Sequence, residues 1–240
     1  MYEERFYRKD FANAWNSYEI SIEETDILIK TEVPIDQERI RSLIIELREQ
    51  VKEQIQEAPD FLSSLRPVPG KESAKPIIKE MIHKSAVVGT GPMSSVAGAI
   101  AEFVGRELMQ FGGQFVVENG GDICIKKNGG IILGIYAGLD NPVNDFLLQI
   151  NKTGKMLGVC SSSSRLGHSL SLGYADLVTV ISESAVFADA LATGIANRVC
   201  TDADVSRQID KAKNYRLVKG LVIVKGNTIG LWGDITLAHK

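Results

Sequence analysis

The stretch FADALATG, Phe187 to Gly194, sets an aspartate and a threonine four residues apart among small or apolar neighbours. In a helix, Asp189 and Thr193 share one face a turn apart, so a carboxylate and a hydroxyl converge on one point. A hard cation such as Mg²⁺ takes oxygen ligands of this kind, with one or two carboxylates and retained waters. Ala188, Ala190, Ala192 and Gly194 leave room for a neighbouring backbone or a phosphate. The plainer reading makes Asp189 a helix cap and lets Thr193 bond back to the preceding turn. Taken alone, the pair leans slightly to that plainer reading.

Three further stretches place polar groups at turns. In VENGGDI, Val117 to Ile123, Gly120 and Gly121 permit positive φ or close approach of a ligand. Glu118, Asn119 and Asp122 offer oxygens around that point, although this segment taken alone leans to an ordinary Asx-bonded glycine turn. In GTGPMSSVAG, Gly89 and Gly91 lead into a helix N-terminus whose free N–H groups suit phosphate. No Gly-Lys-Ser/Thr follows, and Ser94 or Ser95 serves equally as a simple cap. In GVCSSSSRLGHS, Gly158 to Ser169, the residues Cys160, Ser161, Ser162, Arg165 and His168 offer an anion site or a reactive thiolate. Arg165 would lower the pKa of that thiol, whereas a cysteine ending an apolar strand is more often a small buried hydrophobe.

The elements around these stretches read as an α+β chain. NSYEISIEETDILIKTEV alternates about Glu23 to Asp26 as a β-hairpin. Ile40, Leu43, Ile44, Leu47, Val51 and Ile55 recur at helical spacing after Asp36, a fitting N-cap. APDFLSSLRPVPGKESAKP reads as an irregular connection, and a small-residue helix is expected from Met93 to about Phe111. QFVVENGGDICIKKNGGIILGIYAG then reads as three strands with glycine turns, followed by strands at FLLQI, MLGVCSS and LVTVI. Helices are expected over Ser184 to Val199 and from Asp202, with LVIVKGNTIGLW as a closing hairpin. This order predicts an antiparallel or mixed sheet with packed helices in a single domain over residues 1–240. The hairpin and helix of residues 1–60 are the candidate subdomain.

Net charge of −3 and a pI near 5.7 give no footprint for nucleic acid or anionic lipid. The first residues lack an apolar signal region, and the longest apolar run is broken by Gly, Pro and Ser. Cys124, Cys160 and Cys200 are far apart with no CxxC spacing, which points to a reducing cytoplasm.

The succession of NGGD and ADALATG resembles the ApbE family, the FAD:protein FMN transferases, over roughly the central half of the chain. The resemblance implies an ApbE-like, T-fold-like architecture. It also implies that Asp189 and Thr193 bind Mg²⁺ and that Gly120, Gly121 and Asp122 lie beside a flavin nucleotide such as FAD. The chain departs from the family in lacking the lysine and aspartate of the helix after the first glycine cluster, here SSVAGAIAEFVG. Cys160 stands near a family threonine or serine, and the His-x-x-Asp-Pro stretch is absent. The pattern is similar to the short ApbE-like branch of bacteria and archaea. The implied function is Mg²⁺-dependent binding of a flavin nucleotide, with action at its pyrophosphate. One alternative is sulfur assimilation, with Cys160 as persulfide carrier or nucleophile beside Arg165 and His168. Another is a non-catalytic flavin- or protein-binding module. Expected partners are a small nucleotide or a sulfur-pathway protein, or a second copy of the chain.

Overall fold

The computed structural model describes residues 15–138, 141–151, 154–163 and 174–239. Strands β1 (Asn16–Ile22) and β2 (Thr25–Thr31) form the expected hairpin. Helix α1 (Gln37–Glu57) starts at Asp36, whose carboxylate accepts from the Arg39 N–H, and buries Ile40, Ile44, Leu47 and Val51. The connection that follows holds a short helix, α2 (Asp60–Ser63), pinned by buried Phe61. Helix α3 (Pro76–Val88) then runs where the sequence pattern had suggested no element. Proline at its first position needs no N–H partner there, and Gly89 closes it at φ 80°. A 3₁₀ turn, Pro92–Ser95, introduces α4 (Val96–Leu108).

The remaining elements are β3 (Phe115–Asn119), β4 (Asp122–Lys126), β5 (Ile131–Gly134), β6 (Phe146–Ile150), β7 (Met156–Ser162) and β8 (Leu177–Ser182). Helices α5 (Ala185–Ala196) and α6 (Asp202–Ala212) precede β9 (Val218–Lys225), β10 (Thr228–Gly233) and β11 (Ile235–His239). The antiparallel order β1-β2-β3-β4-β7-β8-β9-β10 makes the main sheet, and β11-β6-β5 makes a second. The third strand after the glycine turns, β5, therefore leaves the sheet of its two predecessors. Strand β11 extends the chain beyond the closing hairpin read from sequence.

Period-two alternation sends residues of each central strand to opposite layers. Val117, Cys124, Cys160, Val178, Val180, Leu221 and Ile223 meet the helices. Val116, Ile125, Val159, Ile181, Val222 and Val224 meet Leu133, Leu148, Ile150 and Ile235 of the second sheet. A sheet covered on both faces explains why every residue of β8 is buried.

Helix α5 is buried along its whole length, which its run of small residues makes feasible. A Cβ added at Gly158 of β7 would lie 2.2 Å from Ala185 Cα, and one at Gly98 of α4 would lie 2.4 Å from Ala185 O. The start of α5 is capped from within and from without. Ser184 accepts from the Phe187 N–H, while the buried Glu102 carboxylate accepts from Ser184 Oγ at 2.8 Å and the Val186 N–H at 3.0 Å. Arg106 balances the charge at 2.6 Å. Glu102→Ala strands those donors and is expected to lower unfolding free energy by about 2 kcal/mol, read from urea denaturation.

No single helix among the described residues is long and apolar enough to cross a membrane; α3 and the Pro92–Leu108 segment reach that length only as a pair bent by 101°.

Candidate functional site

The β3–β4 hairpin closes through Gly120 and Gly121, at φ 67° and 96°, a two-residue turn that only positive φ allows. The Glu118 carboxylate accepts from the Gly121 N–H at 2.7 Å. Alternation then divides the turn's polar residues between two faces. Asn119 and Asp122 lie on the helix face, and Glu118 lies on the face toward the second sheet. Asn119 donates to Ala97 O at 3.1 Å, anchoring the hairpin to the first turn of α4.

That first turn meets α5. The Gly98 N–H donates to Asp189 Oδ2 at 2.9 Å, and the Ala97 N–H also favours the carboxylate. The free N–H groups expected to receive phosphate behind GTGP thus face the protein's own Asp189. Asp189 is a cap after all, but of α4, 91 residues away, while Ser184 caps its own helix. Gly89 and Gly91 have packing roles: Gly89 terminates α3, and a Cβ at Gly91 would strike Ser64 O at 1.7 Å.

Asp122 reaches the same point from the sheet. It accepts from the Ser161 N–H at 3.2 Å and stands near enough to Asp189 to feel its charge. Burial pushes the Asp189 carboxyl up to about 7 even against its two N–H bonds. Burial, and then the charge of Asp189, raises Asp122 well above the usual carboxylate range. Neither acid makes an ion pair among the described residues. In water at neutral pH, such a pair keeps a proton or takes a cation.

Thr193 lies one turn beyond Asp189, buried, and its hydroxyl makes no hydrogen bond among the described residues. The bond back to the preceding turn is not formed. Helix α5 packs along β7, with Ala185 against Gly158 and Asp189 beside Cys160. Eight helical residues rise about 12 Å and four strand residues about 13 Å, so Thr193 reaches the level of Ser162. Ser162 Oγ is buried on that same face and has no hydrogen-bond partner among the described residues. Ser161 points the other way and pairs with Thr179 Oγ1 at 2.9 Å.

Cys160 is fully buried, and its thiol contacts Ala185 O at 3.4 Å. Burial first, then the charges of Asp122 and Asp189, push its pKa well up. This setting is the opposite of the exposed, electropositive one a reactive thiolate needs. Arg165 and His168, the proposed neighbours of that thiolate, lie outside the described residues. Iodoacetamide is accordingly expected to label exposed Cys200 and to spare Cys160 until the protein unfolds, as read by peptide mass. Labelling of native Cys160 as fast as Cys200 would contradict this placement.

The donors gathered here are two carboxylates and a threonine hydroxyl, with a protonated thiol behind them. Hard oxygens suit Mg²⁺, which seeks one or two carboxylates and leaves its other positions to water and phosphate. Among the described residues, no group of three or more His, Cys, Asp or Glu has the geometry to hold a metal. Neither Glu102 nor Gly98 is singled out by the sequence reading. Glu102 carried a visible signal, an acid set among Ala99, Ile100, Ala101, Phe103 and Val104; Gly98 carried none.

A hairpin-built main sheet, covered by helices on one face and a small sheet on the other, defines the fold of the ApbE flavin transferases. The flavin transferase ApbE from Vibrio cholerae superposes with a TM-score of 0.58 at 13% identity, covering 91% of this chain and 96% of that one. The ApbE protein of Thermotoga maritima gives 0.56 at 14% identity, over 94% and 97%. A model of the family described as "AbpE bacteria" matches residues 8–219. A UPF0280 protein of Methanothrix thermoacetophila is 40% identical over 212 residues, 86% of this chain and 89% of the relative. One from Methanocaldococcus jannaschii is 34% identical over 226 residues, 92% of each. The chain belongs to this ApbE-like family.

Proposed function

We propose that the protein binds a flavin nucleotide with Mg²⁺ at Asp122, Asp189 and Thr193 and acts at the nucleotide's pyrophosphate. The observation that carries this reading is the buried Asp122–Asp189 pair, with no cation to offset it among the described residues. Magnesium, when bound, supplies positive charge to phosphate oxygens and stabilises negative charge that develops there. Asp189 and the Thr193 hydroxyl on α5, with Asp122 on β4, would hold it. The Gly98 and Ala97 N–H groups fix the Asp189 carboxylate, and Asn119 fixes the turn that carries them. Gly121 opens onto empty space where a side chain would stand, so a flat ring has access to the turn. The Ser162 hydroxyl, which has no partner among the described residues, is a donor for a phosphate oxygen. The fold shared with the flavin transferase ApbE of Vibrio cholerae supports the choice of nucleotide.

The experiment is a titration of metal-stripped protein with FAD, with and without Mg²⁺, followed by flavin fluorescence and product mass. Mg²⁺-dependent binding with release of AMP or FMN is the expected result. Binding without product would reduce the role to a flavin-binding module. Equal failure under both conditions would overturn the reading.

A further inference from the structure

A cleft of about 200 Å³ opens between α3, the first turn of α5 and the connection from α6 to β9. We propose that it binds a small aromatic molecule carrying a phosphate group. The argument rests on charge, shape and independence from the acidic site.

Charge comes first. His83 and Lys84 on α3 and Arg216 on the connection line the cleft, and among the described residues no carboxylate does, in a chain whose net charge is −3. The nearby acids sit outside the cleft and are shared among several cations, Lys84 and Arg216 included. Glu183 pairs with Lys219 at 2.9 Å, while Glu80 stands 3.9 Å from Lys84 and is shared with Arg106 at 3.5 Å. Arg216 makes no ion pair among the described residues. A guanidinium fork and a point ammonium are the pairing that suits a phosphate dianion.

Shape selects the rest of the ligand. Phe187 and Tyr215 meet edge to face in the wall, centroids 5.5 Å apart at 67°, and Val87 and Leu217 extend the apolar surface. A cavity of about 150 Å³ accommodates benzene, so the volume here suits one ring with its anionic group. A third aromatic ring can join the Phe187–Tyr215 pair in the offset or edge-on geometry such rings prefer.

The cleft is separate from the Asp122–Asp189 site although α5 serves both. Phe187 and Asp189 are two residues apart, about 200° around the helix, and so face different directions. The two sites also differ in sign, one lined by acids and one by cations.

The test is isothermal titration of the full chain with phenyl phosphate, and with inorganic phosphate for comparison. Phenyl phosphate is expected to bind with Kd of about 1 mM, roughly tenfold tighter than inorganic phosphate. The Lys84→Gln/Arg216→Gln double variant, altered only at the cleft's rim, should bind at least about tenfold more weakly. Asp189→Asn should bind as wild type does, which keeps this result independent of the proposed nucleotide site. No binding by about 20 mM, or undiminished binding in the double variant, overturns the proposal. Loss of binding in Asp189→Asn alone would assign the ligand to the acidic site and overturn it equally.

Discussion

Asp189→Asn is expected to weaken Mg²⁺-dependent FAD binding by about 100-fold or more and, in the same protein, to stabilise the metal-free fold above neutral pH. The first effect follows from removing the carboxylate proposed above to hold the metal. Loss of a group that merely supports a ligand costs about 10- to 100-fold in metal affinity, and loss of the ligand itself lies at or beyond that range. The second follows from the direction of its titration. The carboxyl stays protonated up to about pH 7 in the folded protein, against a reference value of 3.8. Between those values the folded state holds a proton that the unfolded chain has released, so stability falls as pH rises. Three units correspond to a ceiling on the order of 4 kcal/mol. Asparagine carries no charge to bury and keeps an oxygen for the Gly98 N–H. The melting points of variant and wild type should therefore nearly coincide at pH 4, separate up to pH 7 and stay apart beyond it. Added Mg²⁺ should raise the melting point of wild type at pH 8 and leave the variant unmoved. A variant that binds FAD with Mg²⁺ as wild type does would remove Asp189 from the site.

This double behaviour shows which parts of the site the sequence could express. Asp189 and Thr193 announce their shared face through a spacing of four, and Asn-Gly-Gly-Asp announces a positive-φ turn. Both are local facts, and both hold in the structure. Local rules are silent on what stands across from a motif. The contact between Asp189 and Gly98 joins residues 91 apart, and it alone shows that the α4 N-terminus faces a carboxylate of the protein itself. Cys160 illustrates the same limit. Its loop neighbours in sequence include an arginine, but its neighbours in space include Asp122 and Asp189, and space decides the pKa. Among the elements, α3 went unread despite a proline at its start and a glycine at its end. Its inward face includes Ser85, which blurs the apolar stripe, and its buried Ile77–Ile78 pair suits a strand as well as a helix. Strand β5 was legible as a strand, but alternation states only that one face is buried. It does not name the sheet that buries it.

The largest expected loss of stability lies away from any charged group, at Gly158. Its position looks like an ordinary site in a strand, since its φ is not in the left-handed region and alanine would suit the backbone. The obstacle is the helix above it. An added Cβ would stand 2.2 Å from Ala185 Cα, 2.5 Å from its N and 2.8 Å from its Cβ, so the clash is mainly with backbone. A flexible side chain could swing aside, but here α5 must lift from β7. Overpacking a core costs about 1–3 kcal/mol when side chains can adjust, and Gly158→Val should exceed that range. At about 2–4 °C per kcal/mol for a chain of this size, the melting point should fall by roughly 10 °C. Gly134→Ala is the matched control, because nothing lies within 4 Å of the added carbon and the backbone is unstrained. It should shift the midpoint by no more than about 2 °C. The same displacement of α5 would draw Asp189 and Thr193 away from Asp122, so Gly158→Val should also lose Mg²⁺-dependent FAD binding at temperatures where it remains folded. A Gly158→Val protein that melts with the Gly134→Ala control would mean that α5 is not seated on β7. The convergence of the two aspartates, which depends on that seating, would fall with it.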